Sequence, residues 1–137
     1  MSYGMAAGLQ AAIYQRLVQD AALSALVGGA IHDAVPPGRV PPLYVTLGPE
    51  EVRERGDGSA GGALHRFAVT VVSESAGFQQ AKAVAGAVSD ALVGAELMLV
   101  RGQVTRLSFL RARARRETAG QARRIDLTFQ ARVDDGI

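Results

Sequence analysis

The sequence has no cysteine and no tryptophan, and aromatic residues make up only 5% of its 137 positions. Without thiols there is no disulfide, no thiolate nucleophile, no Cys-ligated zinc, no iron–sulfur cluster and no redox pair. Long apolar runs are missing too. Residues 21–30 are the nearest approach, short and rich in small side chains, against the roughly 20 residues a membrane helix needs. The opening Met1-Ser2-Tyr3-Gly4-Met5 lacks the basic and apolar parts of a signal peptide, so a soluble, cytoplasmic-type chain is expected. Lysine is nearly absent as well. Lys82 stands alone beside 14 arginines, a bias that, with abundant Ala and Gly, is also what a GC-rich genome produces.

Against these absences, 48% of residues are apolar and 20% charged. That suits one domain over 1–137, which buries roughly two thirds of its unfolded surface and needs no staples. The net charge of +2 hides an uneven distribution. Residues 101–132 hold nine Arg against Glu117 and Asp126, so the remainder is net acidic. Copies of such a chain can meet front to back with complementary fields.

Hydrophobic periodicity sets the expected elements. Met5, Leu9, Ile13 and Leu17 recur every four residues and predict an amphipathic helix over 5–20. Asp20 is placed as the N-cap of a short second helix that ends at Gly28-Gly29. Residues 31–35 read as a short extended segment, and the prolines of Pro36-Pro37-Gly38 and Pro41-Pro42 as a stiff loop. Residues 43–47 form a strand that should end near Gly48-Pro49, and 64–74 another, with His65, Phe67, Val69 and Val71 on one face. Between them, residues 50–62 offer four acids, two Arg, four Gly and one large apolar residue, Val52. So little can be buried there that a mobile arm or loop is expected. Phe78, Ala81, Ala85, Val88 and Leu92 predict a further helix up to Gly94. A final hairpin follows, from Val100 or Val104 to about Glu117, a turn at Ala119-Gly120, and a strand alternating through Ile125, Leu127, Phe129, Ala131 and Val133. The order implies an α+β fold, a mostly antiparallel sheet with helices packed on one face. Its expected core is Leu9, Ile13, Leu17, Phe67, Val69, Val71, Phe78, Val88, Leu92, Leu107, Phe109, Leu127 and Phe129.

Catalytic and metal chemistry finds no foothold. His32 and His65 have no Cys or second His at ligand spacing, so each reads as a hydrogen-bonded strand residue rather than a metal ligand or general base. Glu50, Glu51, Glu54 and Asp57 sit in a Gly-rich polar segment, unlike the rigid, partly buried setting that catalytic carboxylates require. The serines at 24, 59, 73, 75, 89 and 108 include no nucleophile elbow. The run Gly56-Asp57-Gly58-Ser59-Ala60-Gly61-Gly62 lacks the Lys-Ser/Thr and the following helix of a phosphate-binding loop. No catalytic residue, metal or cofactor is expected. Arg111, Arg113 and Arg115, by contrast, alternate with Ala112 and Ala114 and so project from one sheet face. Three readings stand: a solvated face, a protein interface, or a small nucleic-acid-binding protein using this hairpin for phosphate contacts.

Taken in order, several stretches resemble a known family. They are Leu9-Gln10-Ala11-Ala12-Ile13-Tyr14, residues 20–29 with Ile31-His32-Asp33, Val35-Pro36-Pro37, Pro42-Leu43-Tyr44-Val45-Thr46-Leu47-Gly48, His65-Arg66-Phe67, residues 81–88, and Arg123-Arg124-Ile125-Asp126-Leu127-Thr128-Phe129. The chain is similar to the tail terminators, or tail-completion proteins, of long-tailed phages and of alphaproteobacterial gene transfer agents. The resemblance implies a non-enzymatic virion protein at the head-proximal end of the tail. It would form a homo-oligomeric, hexameric ring that caps the tail tube and meets the head-side connector, or stopper, while DNA passes through without specific binding. The family motif assigns no binding residues. Those expected at a protein interface come from charge and periodicity: Glu50, Glu51, Arg53, Glu54, Arg111, Arg113 and Arg115.

Overall fold

The structure, a computed structural model, describes residues 3–34, 38, 41–54, 62–117 and 122–135. Helix α1 (Ala6–Gln19) buries Ala6, Leu9, Ile13 and Leu17, the four-residue stripe of the sequence. Its end is set by Asp20, which leaves helical geometry and caps α2 (Ala21–Val27) by accepting the Leu23 N–H at 2.9 Å. Such a cap satisfies one of the orphan donors of a helix start. Gly28 closes α2 at φ 62°, where side chains are disfavoured. Strand β1 (Ile31–His32) is followed by β2 (Leu43–Glu54), β3 (Gly62–Ser73), α3 (Gln79–Leu92), β4 (Gln103–Arg116) and β5 (Arg123–Asp134).

The five strands lie in the order β1-β2-β3-β5-β4. Only the β1–β2 pair is parallel. The fold is therefore α+β, with a mostly antiparallel sheet and the helices on one face. In the central pair, Phe67 faces Phe129, Val69 faces Leu127 and Val71 faces Ile125, all buried beneath the helices. From α3, Ala81, Val84, Ala85, Val88, Ala91 and Leu92 are buried, and their small size lets the helix lie close to the sheet. The opposite face carries Arg66, Thr70, Asp126, Gln130 and Arg132 and has no helix over it.

Three expectations change. Strand β2 does not end at Gly48-Pro49 but runs through them to Glu54, with a register shift between Leu47 and Glu50. Proline cannot donate to a ladder, and the bulge lets the chain pass it. Residues 50–54 thus belong to a strand paired with β3, and Gly62 opens β3; residues 55–61 of the expected arm or loop lie outside the described residues, as does the turn at Ala119-Gly120. The second change concerns the core. Phe78 is only half-buried, with the Arg123 guanidinium 5.4 Å from its ring centre. Phe109 is 44% exposed, because α3 covers the central strands and stops short of β4. The third concerns Glu50, described below; His65 is the hydrogen-bonded strand residue expected.

Gly102 shows how the start of β4 is fixed. It sits at φ 81°, and a Cβ there would lie 2.7 Å from both the Asp134 carbonyl oxygen and the Met5 sulfur. Arg101 beside it clamps Asp135 with two bonds of 3.1 and 2.6 Å, which tie the start of β4 to the end of β5. The largest fully buried side chain is Phe129, stacked on Phe67 and met edge-on by Phe109. Phe129→Ala should cost about 3–5 kcal/mol, measured as a lowered denaturation midpoint at unchanged slope.

Candidate functional site

The two groups of charged residues singled out by the sequence occupy different strands. Arg111, Arg113 and Arg115 lie on β4, in register with Thr128, Asp126 and Arg124 of β5. All three project from the open face, as period two requires. Asp126 is the anion at the centre of this face. It accepts from Thr70 Oγ1 at 2.7 Å and from Arg124 Nε at 3.1 Å, and has Arg115 Nε at 3.6 Å. Arg124 also has Glu117 at 3.9 Å. One carboxylate thus serves two guanidiniums and a hydroxyl, while Arg111 and Arg113 form no ion pair among the described residues. Both are exposed. The face keeps an excess of positive charge at the outermost strand.

The acidic group lies on β2, at the other side of the sheet. Glu51 stands opposite Arg66 and Arg53 opposite Leu64, which puts both on the open face with the arginines. Glu50 and Glu54 project toward the helix face. Strands β3 and β5 separate the acidic and basic groups, a span of about 14 Å at the usual interstrand spacing. Within one chain they do not meet.

Glu50 is not the solvated loop acid of the sequence reading. It is half-buried, with one carboxylate oxygen 3.2 Å from His65 Nδ1 and the other accepting the Tyr3 hydroxyl at 3.0 Å. His65 is fully buried in β3, and its Nε2 has no hydrogen-bond partner. The arrangement ties the N-terminal segment to the sheet through one carboxylate. It also raises the Tyr3 pKa, first because the phenol donates to Glu50 and then because an ionised phenolate would face a like charge. Among the described residues, no three His, Cys, Asp or Glu side chains come together as a metal site.

The sequence reading missed an apolar surface. Segment 93–102 packs Leu97 and Leu99 inward and leaves Met98 and Val100 outside, Met98 89% exposed. Val93, Phe109 and Leu110 are also exposed nearby, so five of the eight large exposed apolar residues among those described lie around β4. Between α3 and β4 runs a recess of about 380 Å³ lined by Lys82, Gly86, Phe109, Ala112 and Ala114. A second recess, of about 590 Å³, lies between α1 and the opposite edge, lined by Ala7, Ala11, Tyr14, Ile31 and Leu47. The apolar run Leu97-Met98-Leu99-Val100 was the available signal, but four consecutive apolar residues between Glu96 and Arg101 could not be assigned a face without the neighbouring strand.

Such a molecule, with its apolar and charged surface gathered at the sheet edges, is an α+β module suited to contact with other macromolecules. Residues 11–134 match the family described as tail completion protein gp17, and the chain belongs to that family. Among solved structures, it is similar to a chain in the virion of a native gene transfer agent particle. The two share 56% sequence identity and a TM-score of 0.91, over 97% of this chain and 99% of that one. No curated protein matches the sequence.

The Tyr3–Glu50 contact can be checked by alkaline titration. Because its pKa is raised, Tyr3 binds its proton more tightly folded than unfolded, so this contact's stabilisation is lost as pH rises through the folded-state pKa. Glu50→Gln should lower the pH at which Tyr3 ionises, read as tyrosinate absorbance with Tyr3→Phe as the assignment control.

Proposed function

We propose that this protein is a tail terminator, a structural component of a phage tail or phage-like particle. Its copies form a hexameric ring that ends the tail tube at its head-proximal side and seats the head-side connector protein. The observation that carries this reading is the near full-length similarity to a chain of a gene transfer agent virion. Family membership gives the coarser part, a tail-completion protein. The role is structural, not enzymatic, and DNA passes through the ring without specific binding. The protein works in the particle after assembly in the bacterial cytoplasm, as one domain.

Physical features support the ring. Closed rings need heterologous contacts, in which one patch meets a different patch on the next copy. Here the basic patch of Arg111, Arg113 and Arg115 and the acidic patch of Glu50, Glu51 and Glu54, interrupted by Arg53, lie on opposite sides of one sheet. Opposite charge favours the pairing and like charge disfavours self-matching. The arginines must act together, since an isolated exposed ion pair contributes only about 0–1 kcal/mol.

Electron microscopy of the purified protein, alone and with tail tubes, should show rings, free or on tube ends. A protein that stays monomeric and leaves tube ends bare would reject the reading. The triple change Arg111→Ser, Arg113→Ser and Arg115→Ser should weaken ring formation or head–tail joining while leaving the circular dichroism spectrum unchanged. If that variant assembles and completes particles normally but loses DNA retardation in a gel, the basic face is a nucleic-acid surface instead.

A further inference from the structure

We infer that successive copies join edge to edge, the outer edge of β4 in one copy pairing antiparallel with the outer edge of β2 in the next, so that the sheets run on from subunit to subunit. This deepens the ring reading and rests on it; the occupant of each edge is a second copy of this chain.

Both edges are open over matching lengths. Strand β1 pairs only with Val45 and Thr46, so among the described residues no strand pairs with the outer edge of β2 from Leu47 to Glu54. Strand β4 ends the sheet order, and segment 93–102 lines only its first half, so no other described segment pairs with its outer edge from Phe109 to Arg116. Each open stretch is eight residues long. Unpaired strand edges are templates for another chain, and native proteins that keep them open as monomers usually blunt them.

Strand direction and charge select the pairing. The long strands β2, β3, β5 and β4 alternate in direction, so β2 and β4 run opposite ways. Copies related by rotation about one axis then bring β4 against β2 antiparallel at each junction, the geometry with well-aligned ladder bonds. Two β4 edges would oppose Arg to Arg, and two β2 edges would crowd glutamates.

Side-chain faces fix the register. Within one chain Val52 is level with His65, Ala131 and Leu107. A stagger of four positions sets Val52 opposite Ala112 of the neighbour, and an even stagger keeps helix-face residues on the helix face. Closing a sheet into a ring demands such stagger and tilt. In this register Glu51 faces Arg113, with Arg111 and Arg115 diagonal to it, close enough to interact. Arg53 falls opposite Arg111 and diagonal to Arg113, the like-charge contacts of this register. On the helix face Glu50 and Glu54 approach the recess that holds Lys82 beside Ala112 and Ala114.

The absence of cysteine makes the test direct. A variant carrying Val52→Cys and Ala112→Cys, assembled and treated with a short bis-maleimide, should give a covalent ladder reaching the ring's subunit number. Each single variant should give no ladder, and Ser24→Cys with Ala112→Cys should give none either. Glu51→Arg should abolish the ladder, and adding Arg113→Glu should restore it at least half-way. Rings visible by electron microscopy without this ladder, or without charge-swap rescue, would overturn the edge pairing and leave the ring reading standing. Wild-type protein that forms no ring alone or on tubes would overturn both.

Discussion

The unbroken register between β3 and β5 is the constraint on which everything else depends. Twelve residues of each strand pair from Gly62 with Asp134 to Ser73 with Arg123 without a bulge. Phe67 and Phe129 stack there with ring centres 5.7 Å apart, and a slip of one position would put them on opposite faces of the sheet. All three irregularities of pairing fall outside this pair, one in β2 and two in β4. The centre fixes the frame, and the outer strands bend to it.

The helix layer covers that frame unequally. An Ala-rich α3 can approach the central strands closely, but a single helix about 10 Å wide cannot also roof the outermost strand. Phe109, Ala112 and Ala114 are therefore left bare on the side where the core otherwise sits. Charge follows a similar logic. Asp126 is shared among Thr70, Arg115 and Arg124, and among the described residues Arg111 and Arg113 receive no counter-ion. Apolar and ionic surface left unsatisfied at the same edge is the physical basis for reading this protein as an assembly component.

Much of this was legible beforehand. The four-residue stripe of α1, the Asp20 cap, and the alternation of β5 each encode a local geometry with a short period, and the structure reproduces them. Projection of Arg111, Arg113 and Arg115 from one face followed from the same period. The extension of β2 through residues 48–54 did not, because the segment is polar and contains proline; it is a strand because β3 supplies the ladder. The tie among Tyr3, Glu50 and His65 joins residues up to 62 positions apart and has no sequence signature.

The sequence by itself determined the classes of chemistry left out by its composition, the run of helices and strands, and which residues of each strand share a face. These are local properties, written in side-chain type and spacing. Only the tertiary structure decided the strand order, and with it that acids and arginines lie on opposite sides of one sheet. The same packing buried His65 against Glu50 and left Phe109 exposed. Periodicity sorts side chains between two faces of a strand, but whether a face is covered depends on where a helix from elsewhere in the chain comes to rest.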